Sequence, residues 1–154
     1  MGKEIERKFL VTSDAWRSEG QSSLLRQGYI SAEPGRIVRV RIDGDRGCIT
    51  IKGMASGASC GEWEYPVPLQ DAAELLDQVC EKPLIEKYRH RIARDGVLWE
   101  VDEFLGENAG LVVAEIELES EEQSFIHPDW LGDEVTEDRR YANASLIRKP
   151  FSQW

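Results

Sequence analysis

The sequence predicts a mainly β protein whose antiparallel strands close into a barrel around a charged interior. Short segments throughout the chain alternate apolar and polar residues, and Asp/Gly-rich turns join two pairs of them. The charged residues on the polar faces are sorted by sign from strand to strand. We expect the few helices of the chain to pack outside the barrel.

Two hairpins are the clearest strand signals. Segment 36–53, RIVRVRIDGDRGCITIKG, has β-branched runs on both sides of an Asp/Gly turn, a composition that favours a tight hairpin. Segment 88–104, YRHRIARDGVLWEVDEF, turns at Asp95-Gly96 in the same way. Because strand side chains alternate between faces, each arm has one charged and one mainly apolar face.

The opening segment 3–11, KEIERKFLV, is compatible with a helix or a strand. A helix would pair Glu4 with Lys8, whereas a strand would place Glu4, Glu6 and Lys8 on one face. Three further segments alternate in the same manner, namely 25–30 (LRQGYI), 62–67 (EWEYPV) and 111–120 (LVVAEIELES). So many alternating segments favour the strand.

Helices are predicted at three places. Segment 71–81 carries an apolar stripe that includes Ala72 and Leu76. Segment 136–149 is expected to form a final helix with Thr136 as its N-cap. Residues 12–20 are expected to form a short helix, and the Gly/Ser-rich residues 53–61 a connection.

Composition excludes several classes of function. The 154 residues predict one domain, 1–154, and a net charge of −10 argues against nucleic-acid binding through the backbone. We find no membrane-length apolar segment and no signal-peptide core. The 3 scattered cysteines indicate a reducing, cytoplasmic setting, and 2 histidines leave chemistry to carboxylates, lysine, arginine and tyrosine.

The sorting of charge favours a lumen over a solvated sheet face, which is the alternative for any single strand. Like charges two residues apart on a strand lie about 6.5–7 Å apart and repel, so a closed barrel with both signs inside would neutralise them. Paired carboxylates are hard ligands suited to Mg²⁺ or Mn²⁺, and converging lysines and arginines select polyphosphate. The columns are Glu4/Glu6, Arg39/Arg41, Glu62/Glu64, Lys87/Arg89/Arg91, Glu100/Asp102 and Glu115/Glu117.

These motifs resemble the CYTH superfamily, the triphosphate tunnel metalloenzymes. The E-x-E-x-K of the first strand, the R-x-R of the hairpin, TIK, two further E-x-E pairs, EKYR, WEVDEF and EVTEDRRYAN occur in order over residues 3–146. The resemblance implies an eight-stranded antiparallel closed tunnel with a C-terminal capping helix.

The resemblance also implies roles for individual residues. Tyr29 would accept a proton, although a purely structural hydroxyl is the alternative, and the neighbour Arg140 competes with Arg139 for the tunnel mouth. The implied metal ligands are Glu4, Glu6, Glu115 and Glu117, with Glu64 and Asp102 as weaker candidates. The implied phosphate-binding residues are Lys8, Arg39, Arg41, Lys52, Lys87, Arg89 and Arg139. The candidate catalytic residues are Tyr29, Lys52 and Lys87.

The activity that the resemblance implies is hydrolysis of inorganic tripolyphosphate with two Mg²⁺ or Mn²⁺ ions. Nucleoside or thiamine triphosphates and class IV adenylyl cyclase chemistry are alternatives within the family, and a non-catalytic polyphosphate- or nucleotide-binding module is a rival from another class. The outward residues Trp63, Tyr65, Trp99, Val38, Val40 and Ile42 are expected to be core, and uncovered parts of that wall are a candidate homodimer interface.

Overall fold

The computed structural model describes residues 2–154, and over that range the chain forms nine β-strands and two α-helices. The strands are β1 (Gly2–Val11), β2 (Gln21–Glu33), β3 (Arg36–Asp43), β4 (Arg46–Lys52), β5 (Ser59–Val67), β6 (Ile85–Arg94), β7 (Val97–Phe104), β8 (Val112–Glu117) and β9 (Leu131–Glu134). The helices are α1 (Leu69–Gln78) and α2 (Asn143–Leu146).

Eight of the strands close into an antiparallel barrel, which confirms the predicted fold class. Their order is β5-β4-β3-β2-β6-β7-β8-β1, and β1 pairs back onto β5 to complete the ring. The long strand β1 makes this closure possible, because Gly2–Ile5 pair with β5 while Glu6–Leu10 pair with β8. The short strand β9, which the sequence did not predict, extends the sheet beside the far end of β1.

The opening segment forms strand β1 and not a helix, and its side chains alternate between the two faces of the barrel wall. Ile5 and Phe9 are buried in the apolar layer outside the barrel, whereas Glu4, Glu6 and Lys8 line the interior cavity. The period of two therefore separates an apolar exterior face from a charged interior face.

Hydrophobic clusters lie on both sides of the barrel wall. The largest cluster packs Trp16, Trp99 and Trp130 around Phe9, and the rings of Phe9 and Trp99 meet edge to face with centroids 5.9 Å apart. A separate cluster forms where α1 lays Ala72 and Leu76 against the outer face of the barrel. These two clusters fix the strands from outside. A third cluster lies on the inward side, where Tyr29 and Ala32 of the cavity lining are buried with Leu146 of α2.

The predicted helices are present in part. Helix α1 begins and ends slightly earlier than the predicted 71–81, and residues 12–20 contain only a 3-10 turn at Ala15–Ser18. Strand β5 starts inside the predicted 53–61 connection.

The prediction of one helix over 136–149 is wrong. Thr136 is not a helix cap, because its hydroxyl accepts a hydrogen bond from the Lys8 backbone N–H and donates one to Glu134. The chain instead forms a 3-10 turn at Arg139–Tyr141 and then the single-turn α2. Contacts with the barrel therefore override the local helix propensity of this segment.

The outward apolar residues divide into two groups. Trp99 and Val40 are fully buried, as expected of core. Tyr65 is 55% exposed and Ile51 is 38% exposed, so β4 and β5 carry an uncovered apolar strip. Among the described residues, no helix has the length and apolar character needed to cross a membrane.

Candidate active site

The interior of the barrel is a cavity of about 1030 Å³ that gathers nearly all of the predicted site residues. Asp102 lies behind this lining and is fully buried. The predicted residues that line the cavity are Glu4, Glu6, Lys8, Tyr29, Arg39, Arg41, Lys52, Glu64, Lys87, Arg89, Glu115, Glu117 and Arg139.

The two signs of charge occupy opposite halves of the barrel. Strands β4, β3, β2 and β6 are consecutive around the ring, and so are β7, β8, β1 and β5. Two residues depart from this division. Lys8 lies on β1, in the otherwise acidic half, and Asp43 lies on β3, in the otherwise basic half. We call Arg39, Arg41, Lys52, Lys87 and Arg89 the basic wall. We call Glu4, Glu6, Glu62, Glu64, Glu100, Glu115 and Glu117 the acidic wall.

Asp102 holds two members of the basic wall. Its carboxylate accepts a hydrogen bond from Lys87 Nζ at 2.7 Å and two from the Arg89 guanidinium at 2.8 Å. Arg89 also reaches Glu115 Oε2 at 3.5 Å and Glu100 at 3.4 Å. The two basic side chains are thus fixed in direction by carboxylates at the seam between the walls.

Burial sets the ionisation of this cluster. Burial opposes ionisation of Asp102, but Arg89 and Lys87 outweigh it and hold its pKa well below the ordinary value. Complete burial lowers the pKa of Lys87 to about 7, against the attraction of Asp102 and with the help of Arg89 and Arg41. The cluster is therefore rich in positive charge that a bound anion would stabilise.

Lysines bridge the acidic wall. Lys52 Nζ lies 2.8 Å from Glu4 Oε1 and 3.8 Å from Glu62. Lys8 Nζ lies 3.9 Å from both Glu6 and Glu115. Burial opposes the charge of Lys8, yet these two glutamates raise its pKa above the ordinary value.

The carboxylates of the acidic wall also repel one another. Burial and a hydrogen bond shared with Glu62 raise the pKa of Glu4. Burial, followed by the nearby charges of Glu4 and Glu6, raises the pKa of Glu117. A divalent cation placed among these oxygens would remove the repulsion.

The acidic wall has the donor chemistry for a hard divalent cation. Carboxylate oxygens are the ligands that Mg²⁺ and Mn²⁺ prefer, and the acidic wall supplies them from β1 and β8 in register, with Glu6 opposite Glu117 and Lys8 opposite Glu115. Within residues 2–154, no preassembled group of three such ligands is present. Lys8 and Lys52 occupy several of these oxygens, on Glu4, Glu6 and Glu115.

Two weaker metal candidates have other partners. Both Asp102 oxygens are bound by cations. Glu64 Oε2 accepts a hydrogen bond from Thr50, which in turn accepts one from Arg39. These contacts make both carboxylates supports of the basic wall.

Arg139 and Arg140, the two candidates for an arginine at the tunnel mouth, lie in different environments. Arg139 lines the cavity. Arg140 pairs with Asp138 at 2.8 Å and lies over the rings of Tyr141 and Trp154, so it belongs to the C-terminal packing.

Three polar residues of the site were missed by the sequence analysis. Gln27 contacts Arg41 and Tyr29, Thr50 contacts Arg39, and Asn143 accepts a hydrogen bond from Lys87 at 2.9 Å. Gln27 and Thr50 share the inward parity of their strands, which was a usable signal. Asn143 lies in α2, outside any strand, so no alternation could indicate it.

Comparison with known proteins identifies the family. The model of the CYTH domain matches residues 2–151. The chain belongs to the CYTH family. Triphosphatases of this family are metal-dependent in general, in agreement with the oxygen ligands of the acidic wall.

Several relatives carry a named activity. An inorganic triphosphatase of Acetivibrio thermocellus is 51% identical over 154 residues, which is 100% of this chain and 99% of the relative. An inorganic triphosphatase of Nitrosomonas europaea is 39% identical over 147 residues, covering 93% and 95% of the two chains. A crystal structure of an inorganic triphosphatase superposes with a TM-score of 0.66 at 36% identity, covering 96% of this chain and 95% of that one.

Proposed function

We propose that this CYTH protein hydrolyses inorganic tripolyphosphate to pyrophosphate and phosphate inside the barrel. The observation that carries the proposal is the enclosed cavity with a basic wall on one half and an acidic wall on the other. The relative named inorganic triphosphatase at 51% identity over the full chain supports the substrate.

The basic wall is proposed to bind the phosphoryl chain. Arginine recognises phosphate oxygens in a planar, two-pronged manner, and lysine acts as a compact charge. Lys8, on the acidic half, and Arg139 also line the cavity, and each is proposed to contact a phosphate. The phosphate-binding residues in this proposal are Lys8, Arg39, Arg41, Lys52, Lys87, Arg89 and Arg139.

Two Mg²⁺ or Mn²⁺ ions are proposed to bind between the substrate and Glu4, Glu6, Glu115 and Glu117. When bound, such ions would offset the negative charge of the substrate and lower the pKa of an attacking water. The raised pKa values of Glu4 and Glu117 support this placement, because burial and neighbouring carboxylates (Glu62 beside Glu4, and Glu4 and Glu6 beside Glu117) disfavour their charge and a cation would offset both.

Catalysis is proposed to be mainly electrostatic. Fixed cations stabilise the charge on the transferring and leaving phosphates with little reorganisation. Lys87 is oriented by Asp102 and Asn143, and Lys52 by Glu4. The Tyr29 hydroxyl accepts a hydrogen bond from Gln27 at 3.1 Å, which supports an oriented hydroxyl as well as a structural one.

A phosphate-release screen tests the proposed function. Tripolyphosphate, nucleoside triphosphates and thiamine triphosphate are each supplied with Mg²⁺ or Mn²⁺, and release is expected to be fastest with tripolyphosphate. Glu117→Gln should abolish metal-dependent release, whereas Glu86→Gln, on the outer face of β6 beside Arg26, should retain it. Wild-type turnover by Glu117→Gln would reject the metal assignment, and binding without turnover by the wild type would favour the binding module.

A homodimer through the uncovered strip on β4 and β5 stays a prediction. Light scattering on the purified protein measures it, and Tyr65→Glu should shift any dimer to monomer because it places a charge in the strip.

A further inference from the structure

Gln27 is a fully buried amide at the centre of the basic wall. Its Oε1 accepts two hydrogen bonds from Arg41, at 2.9 Å from Nε and 2.7 Å from a terminal nitrogen. Its Nε2 donates to the Tyr29 hydroxyl at 3.1 Å and to Asn143 Oδ1 at 3.3 Å. The residues of β2 that line the cavity, Tyr29 and Ala32, carry no charge, and Gln27 lies behind that lining.

The orientation of the amide is fixed by its partners. A guanidinium only donates hydrogen bonds, so the Gln27 oxygen must face Arg41 and its nitrogen must face Tyr29 and Asn143. Asn143 Oδ1 accepts from Lys87 as well. The two amides therefore connect Arg41 and Lys87 through neutral groups.

Arg41 differs from Arg89 in that the group that holds it, the Gln27 amide, is neutral. Arg89 is bound by Asp102 and reaches Glu115 and Glu100. The contacts of Arg41 that fix its position are to the Gln27 carbonyl oxygen, which carries no net charge. Burial, followed by repulsion from Arg39 and Arg89, lowers the pKa of Arg41 to about 10. The surroundings of Arg41 therefore disfavour its charged form.

We propose that Gln27 is a positioning residue for triphosphate binding. It holds the Arg41 guanidinium in place without neutralising it, so the positive charge of Arg41 remains available to a phosphoryl group. The inference rests on the proposed function. A carboxylate at this position would hold Arg41 equally well but would neutralise its charge, as Asp102 does for Arg89.

Gln27 also prepares the neighbouring hydroxyl. Because Tyr29 accepts from the amide, its own proton is free to be donated to a second acceptor in the cavity that Tyr29 lines. The same amide thus presents two donors, a guanidinium and a hydroxyl, to one anion.

Two variants separate position from charge. Gln27→Glu keeps an oxygen acceptor for Arg41 but neutralises it, whereas Gln27→Met keeps the volume and removes the hydrogen bonds. Gln70→Glu, on the exposed surface of α1, is the matched control for added charge. Tripolyphosphate affinity is measured by calorimetry without metal, and stability is measured by thermal unfolding of the same samples.

The expected signature is an opposite ranking of affinity and stability. Gln27→Glu should bind tripolyphosphate roughly 10- to 100-fold more weakly than the wild type, and more weakly than Gln27→Met, while unfolding at a higher temperature than Gln27→Met. Gln70→Glu should match the wild type in affinity and lose only a little stability, because Gln70 now donates a hydrogen bond to Glu74 and a carboxylate there would repel it.

Distinct results overturn the inference and the proposed function. If the wild type binds but Gln27→Glu binds within about threefold of it, or if affinity merely follows stability so that Gln27→Met binds worst, the inference is wrong and the function stands. Failure of the wild type itself to bind tripolyphosphate would remove both.

Discussion

Substitution of Asp102 by Asn should destabilise the protein far more than loss of a surface carboxylate. The Asp102 side chain is 0% exposed and binds Lys87 and Arg89 at 2.7 and 2.8 Å. Asparagine keeps the shape but removes the counter-charge of Lys87, leaves Arg89 with only the more distant Glu100 and Glu115, and directs an amide N–H at one of the two cations. Breaking a buried pair by removing one partner costs about 3–5 kcal/mol. For a chain of this size that corresponds to a fall in Tm of roughly 6–20 °C.

Glu103→Gln is the matched control, because Glu103 follows Asp102 on β7 but faces outward. Its carboxylate pairs with Arg17 at 2.9 Å on the half-exposed surface, where an ion pair contributes about 0–1 kcal/mol. Urea unfolding of both variants at neutral pH measures the difference. A loss in Asp102→Asn no larger than in Glu103→Gln would refute the description of this cluster as a dry, ion-paired unit.

Three further predictions address the walls, the turns and the carboxylates. Arg41→Ala should weaken tripolyphosphate binding by roughly 10-fold or more and pyrophosphate binding less, as calorimetry can measure; equal losses would argue against a site that spans three phosphates. Gly20→Ala should destabilise more than Gly44→Ala in urea unfolding, because both residues have positive φ, of 69° and 62°, but a methyl group at Gly20 would overlap the Arg91 carbonyl oxygen and one at Gly44 meets open space. The raised pKa of Glu4 means that the folded state binds more protons than the unfolded state above the ordinary value of 4.5, so stability attributable to Glu4 should fall as pH rises from there. Urea unfolding across pH should show a shallower fall in Glu4→Gln, and an unchanged slope would contradict the raised pKa of Glu4 in the folded state.

The fold and the charged columns could be predicted because both depend on a local period. Alternation fixes which side of a strand each residue faces, and closure of the barrel then brings like-charged columns from distant segments to one cavity. The register of β3 and β4, with Arg39 opposite Thr50, follows from the Asp/Gly turn between them. These features need no knowledge of the tertiary contacts.

The C-terminal part could not be predicted because its conformation depends on contacts across the chain. Strand β9 has four residues and little alternation, and it is held against β1 by the pairing of Arg7 with Glu134 at 2.6 Å. Thr136 and Asn143 likewise bond to residues of the barrel more than 50 positions away in sequence. Helix propensity and capping patterns describe only neighbours, so they indicated a continuous helix that these distant contacts prevent.

The lysines that contact the acidic wall, Lys8 and Lys52, lead to a final prediction about metal and substrate. A free divalent ion must displace Lys52 from Glu4, at 2.8 Å, and Lys8 from Glu6 and Glu115. A triphosphate on the basic wall offers these lysines new partners, so it releases the carboxylates for the metal.

Metal and triphosphate should therefore bind cooperatively, and by linkage each must raise the affinity of the other by the same factor, about 5- to 150-fold. Titration of Mn²⁺ followed by electron paramagnetic resonance, with and without a non-hydrolysable imido analogue of tripolyphosphate, measures one factor, and calorimetry of the analogue with and without Mn²⁺ measures the other. The free analogue chelates Mn²⁺ in solution, so both titrations are fitted with that equilibrium included. Equal Mn²⁺ affinity in the two conditions would mean that the lysines do not compete with the metal for the carboxylates.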